Sequence, residues 1–122
     1  MKQTIKSIGQ IAINAIHTER AVTFYRDILG LPLLFETNGL AFFQCGETRL
    51  MVSRPESEEF DHPGSVLYLT VDDLEGKVET MKELGAEFID EPHMVGKMGE
   101  IEIWMAFFKD SEGNTLALMS EK

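Results

Sequence analysis

The run Gly9–Asn14, "GQIAIN", alternates polar and apolar positions with period two and predicts a strand. Ile11 and Ile13 fall on one of its faces, and Gln10, Ala12 and Asn14 on the other. The period then changes. In "HTERAVTFYRDILG", Ala21, Phe24 and Ile28 recur at helical spacing with Val22, Tyr25 and Leu29 beside them, which predicts an amphipathic helix. Thr18 is suited to cap its start, Gly30 to end it and Pro32 to prevent its resumption. Three extended pieces follow, "LPLLFET", "LAFFQC" and "RLMVSR", separated by the turn sequences "NG" and "CGET".

The second half repeats this grammar. "SVLYLTV" reads as a strand, with Leu67, Leu69 and Val71 on one face and Val66, Tyr68 and Thr70 on the other. Asp72 or Asp73 caps a helix whose apolar stripe is Leu74, Val78, Met81 and Leu84. Gly85 stops it, 55 positions after Gly30, and "AEFIDEP", "EIEIWMAFFK" and "TLALMSE" are again extended, the last two joined by "DSEGN". A repeat of this length signals a duplicated supersecondary unit. The fold expected is α+β: a single domain over residues 1–122 in which two βαβββ modules, 5–55 and 65–121, form an open cupped half-barrel. A polar linker over 56–64, within "RPESEEFDHPG", joins them. In each module one sheet face packs on the helix, leaving the other as a concave surface where a ligand would sit.

Charge narrows the function classes. The chain of 122 residues has a formal net charge of −10, which opposes phosphate backbones and anionic lipid surfaces, so neither nucleic acid nor membrane is an expected partner. The plain meaning of this acidity is solubility; the sharper one is an acidic groove for a cationic ligand. No apolar run approaches the roughly 18 residues of a membrane helix, and "MKQTIKSIGQ" lacks the apolar stretch of a secretion signal, so a cytoplasmic location is expected. Cys45 is the single cysteine and has no partner for a disulfide, a zinc site or a redox pair.

Several side chains are candidates for ligand contact, each with a plainer alternative. Arg49 lies on a strand face that would meet the ligand, where its guanidinium favours a carboxylate or phosphate; a hairpin-end pair with Glu47 or solvent is the alternative. Tyr68 orients a ligand through its hydroxyl or simply packs on the sheet. Trp104, with Met105, Phe107 and Phe108, supplies apolar surface either to the cup or to a dimer interface, since a one-residue slip exchanges the faces. His17 and His62 sit in turn-like surroundings and read as surface residues. His93, after Pro92, is either a ligand contact or an acid-base group.

The whole chain resembles the vicinal oxygen chelate superfamily, which includes glyoxalase I, bleomycin- and fosfomycin-resistance proteins, extradiol dioxygenases and methylmalonyl-CoA epimerase. The resemblance rests on "AVTFYRDILGLPLLF", "VLYLTVDDLEGKVETMKELGAEF" and "FFKDSEGNTLALMSE", the last with Ser111-Glu112 where the family usually has Pro-Asp. It implies paired βαβββ modules in an open cupped barrel, assembled as a homodimer. It also implies where metal ligands would stand: Gln10, Met51, Val66 and Ala117, in place of the usual histidine or glutamine, glutamate, histidine and glutamate. A hard divalent ion wants oxygen or imidazole nitrogen at about 2.0–2.2 Å, and of these four only Gln10 offers it. Neither metal nor other cofactor is therefore expected, and Gln10 is expected to hydrogen-bond a ligand, water or neighbour. Such a protein would bind or sequester a small, partly apolar molecule. The alternative is a lyase or isomerase of glyoxalase type, either with a divalent metal on Gln10, His93 and Glu91 or with His93 as a metal-free base; a dimer with a vestigial cup is the third reading.

Overall fold

The computed structural model describes Ile5, residues 7–55, Glu58 and residues 64–122. The expected linker, Glu58 and Gly64 excepted, and His62 within it lie outside the described residues. The chain divides into two units, residues 1–62 and 63–122.

In the first unit, alternation at the front of the chain becomes β1 (Gln10–Asn14). Strands β2 (Leu33–Thr37), β3 (Leu40–Cys45) and β4 (Thr48–Ser53) follow the helix. The sheet order is β1-β4-β3-β2, with β1 parallel to β4 and the other pairs antiparallel. Helix α1 (Thr18–Thr23) continues as a π-helical turn, Phe24–Ile28, where the Leu29 N–H reaches back five residues to the Phe24 carbonyl at 2.9 Å. Thr18 is the first helical residue and not the cap. The cap position belongs to His17, which makes no side-chain cap bond, and the start is closed by backbone, Ala21 N–H to His17 carbonyl at 3.0 Å. Gly30 ends the segment at φ +87°, the left-handed geometry that glycine adopts without a Cβ penalty.

Alternation sorts this sheet cleanly. Ile13, Ala41, Phe43, Leu50 and Val52 are buried with Ala21, Val22, Phe24, Tyr25 and Leu29 of the helical segment, Tyr25 meeting Phe43 at 5.7 Å between ring centroids. The opposite face carries Gln10, Ala12 and Asn14 from β1, Arg49, Met51 and Ser53 from β4, and Leu40, Phe42 and Gln44 from β3.

In the second unit, β5 (Leu67–Thr70) lies parallel to β9 (Thr115–Glu121), which pairs with β8 (Ile101–Lys109). Helix α2 (Leu74–Glu83) has Asp73 as its cap, the carboxylate accepting from the Gly76 N–H at 3.1 Å. Gly85 at φ +100° closes it. Its buried residues Leu74, Val78 and Met81 join Ala106, Phe108, Leu116 and Leu118 in the core. The expected strand "AEFIDEP" is shorter and is followed by one that the pattern does not predict. β6 spans only Glu87–Phe88, and β7 (His93–Met98) pairs with the far part of β8. At the break the Asp90 carboxylate takes the Phe107 N–H at 2.8 Å, so a side chain replaces a carbonyl in the ladder. Pro92 then interrupts backbone donation before β7 begins.

The fold is thus α+β, two helices on two mixed sheets built as βαβββ modules, with the first post-helix strand of the second module split in two. Among the described residues, no helix is long and apolar enough to cross a membrane.

Candidate functional site

The open face of the first sheet holds a small polar assembly. β1 and β4 run parallel with Gln10 opposite Arg49 and Ala12 opposite Met51. Arg49 Nε donates to Gln10 Oε1 at 2.8 Å. The Gln10 amide nitrogen in turn faces Met51 Sδ at 3.6 Å, and the Arg49 guanidinium lies over the Phe42 ring, 5.0 Å from its centroid. Arg49 pairs with neither Glu47 nor a salt-bridge partner among the described residues; Gln10 and Phe42 hold it. No carboxylate belongs to this face of β1, β3 or β4, so the charge presented here is positive despite the chain's net acidity. Phe42 was not singled out by sequence, although alternation in "LAFFQC" sets it beside Leu40 and Gln44.

The second sheet has the same register. Tyr68 stands opposite Ala117, as Ala12 stands opposite Met51, and Val66 precedes Tyr68 by two as Gln10 precedes Ala12. Tyr68 is 47% exposed and meets Phe107 edge-to-face at 5.9 Å; Val66 is exposed, whereas Ala117 is fully buried. Met105 and Met119 continue this face, and His93, opposite Met105, joins it at the edge. Trp104 does not. It pairs with Ser120 and shares the helix-side parity of Ala106 and Phe108. Its indole N–H donates to Glu102 at 2.9 Å, and Lys122 lies 4.5 Å from its ring while also binding Glu75 of α2 at 2.9 Å. The pairing also settles the two phenylalanines: Phe107 faces outward with Tyr68, and Phe108 packs inward.

Of the four positions that the resemblance implies as metal ligands, Gln10 alone carries an oxygen donor in its side chain. The Gln10 amide oxygen, the one suitable atom, already accepts from a guanidinium, and a fixed cation at 2.8 Å repels a second. Met51 offers a thioether, and Val66 and Ala117 offer hydrocarbon. Among the described residues no group of three or more His, Cys, Asp or Glu could hold a metal. In particular, the Glu91 carboxylate is taken by Lys82 at 2.7 Å. His93 Nδ1 lies 2.8 Å from the Glu91 carbonyl, which can only accept, so the proton sits on Nδ1 and Nε2 carries the lone pair in the neutral ring. The Asp90 carboxylate lies 3.8 Å from the same nitrogen.

Elsewhere, His17, Thr18, Glu19, Arg20, Asn38 and Arg54 line a shallow cleft of about 450 Å³ at the start of α1. Arg54 there donates to the Ile16 carbonyl at 3.2 Å, tying the end of β4 to the helix entry. Cys45 pairs with Thr48 on the helix side of the first sheet, and burial pushes its thiol pKa up, away from a reactive thiolate.

Comparison with known proteins agrees with this architecture. Residues 7–118 match the model of the Glyoxalase/Bleomycin resistance protein/Dioxygenase superfamily. A lactoylglutathione lyase from Agrobacterium tumefaciens is similar with a TM-score of 0.75 and 22% identity, covering 95% of this chain and 94% of that one. A superfamily member from Sphaerobacter thermophilus gives 0.79 and 23% identity over 97% and 99% of the two chains. One from Alicyclobacillus acidocaldarius gives 0.73 and 18% over 93% and 90%. Likeness at these identities shows the fold alone, and no curated protein matches the sequence. The family model, spanning nearly the whole chain, goes further: this protein belongs to the glyoxalase/bleomycin resistance protein/dioxygenase superfamily.

Proposed function

We propose that the chain binds or sequesters a small, partly apolar molecule on its open sheet faces without the help of a metal. One observation carries this reading: Arg49 Nε donates to Gln10 Oε1, the atom a metal at this position would need. Beside that pair, Met51 and Phe42 supply apolar and aromatic surface suited to a small ligand, and the open face of the second unit has its own aromatic pair in Tyr68 and Phe107. We further propose a cytoplasmic homodimer as the working form, checked by light scattering of the purified protein.

The metal question is tested by measuring divalent metals in protein purified without chelator and by following its melting temperature with added nickel, zinc, manganese or iron(II). The expected outcome is substoichiometric metal and an unchanged melting temperature. Tight stoichiometric metal with a raised melting temperature would overturn the reading, because a ligand selective for the native state stabilises it by mass action.

A second reading, a metal-free lyase or isomerase, is favoured by His93 alone. Its Nδ1–H is held by the Glu91 carbonyl, which leaves Nε2 as a general base. Turnover that survives His93→Ala would exclude it.

A further inference from the structure

The chain has 21 acidic and 11 basic side chains, so an arginine set on a sheet face free of carboxylates is an exception to its own surroundings. Arg49 is fixed there from two sides. Nε is spent on Gln10 Oε1 at 2.8 Å, and the plane rests against Phe42 at 5.0 Å. Gln10 is oriented in turn, its amide nitrogen towards Met51 Sδ at 3.6 Å. Among the described residues nothing engages the two terminal nitrogens of Arg49. The result is a pre-oriented planar fork, and ordering it on binding costs less than ordering a free side chain. A lysine ammonium would supply charge but no fork.

We propose that Arg49 is the anchor for a carboxylate: its terminal N–H groups take the two oxygens of a monocarboxylic acid whose apolar body lies on Met51 and Phe42. This rests on the reading of the face as a metal-free small-molecule site, and it replaces the cationic ligand suggested by net charge with an anionic one. A fixed organic cation then supplies the charge that Gln10 and Met51 cannot supply by holding an ion. The two oxygens of a carboxylate match the fork's geometry, which a neutral amide, with one acceptor and one donor group, cannot do.

The test is calorimetric titration of the full chain with phenylacetate, indole-3-acetate and octanoate, each against its primary amide, in buffer containing EDTA. Circular dichroism confirms that each variant is folded, as expected for changes at an exposed residue. At least one acid is expected to bind about tenfold or more tightly than its amide. Arg49→Gln should erase that preference by weakening the acid alone, and Arg49→Lys should restore only part of it. If acid and amide bind equally, or Arg49→Gln weakens both alike, the carboxylate anchor is overturned while small-molecule binding stands. If no acid and no amide binds, both fail. Acid binding that needs added metal and is lost with EDTA overturns the metal-free reading and the anchor with it.

Discussion

Asp110 shows how one side chain makes a hairpin. It is 94% buried by its 6% exposure, and Oδ1 accepts from the Glu112 and Asn114 backbone N–H groups at 2.8 Å each while Oδ2 accepts from the Asn114 side chain at 2.8 Å. Asp110→Ala strands those donors and is expected to cost about 2–3 kcal/mol in urea denaturation; Asp110→Asn keeps Oδ1 but sets amide against amide and should cost about half as much. "DSEGN" was legible as a turn because its composition is turn-like, but nothing in the sequence says which residue closes it. Arg49 divides in the same way. Its strand face followed from alternation, whereas its bond to Gln10 depends on the parallel pairing of strands 39 residues apart, which no local pattern encodes.

At the scale of elements, α2 holds a contradiction between propensity and capping. Glycine in a helix interior costs about 1 kcal/mol relative to alanine, yet Gly76 sits where an added Cβ would collide with the Asp73 carboxylate that caps the helix. Gly76→Ala should therefore leave stability within about 0.5 kcal/mol of wild type, the propensity gain being offset by about 1 kcal/mol of lost cap. In an Asp73→Ala background the same substitution should recover its full gain, and a double-mutant cycle measured by urea unfolding reads the difference. The helices, their glycine stops and the last strand were legible because each has a period and a terminator. The division of "AEFIDEP" was not, since it depends on Asp90 reaching the Phe107 N–H on another strand, and β7 was hidden by the glycine and lysine that break its alternation.

For the whole molecule, a formal net charge of −10 sets a penalty on compactness. Raising salt from about 0.01 M to 0.15 M shortens the Debye length from about 30 to 8 Å, so the melting temperature at pH 7 should rise; a fall would mean that ion pairs such as Lys122–Glu75 outweigh the repulsion. The duplicated plan was legible at this scale, because two glycine-terminated helices and their strands recur in order, and in each unit the strand before the helix lies parallel to the unit's last strand. The sign of the charge offered to a ligand was not. A sum over the chain says nothing of which face receives its arginine. One placement also has a practical reach. The sole tryptophan is clamped between Glu102 and Lys122 on the helix side of the second unit, so its emission is an optical label for β8, β9 and α2. Circular dichroism averages the whole backbone, and superimposable unfolding curves from the two signals would show that the duplicated halves melt as one cooperative body.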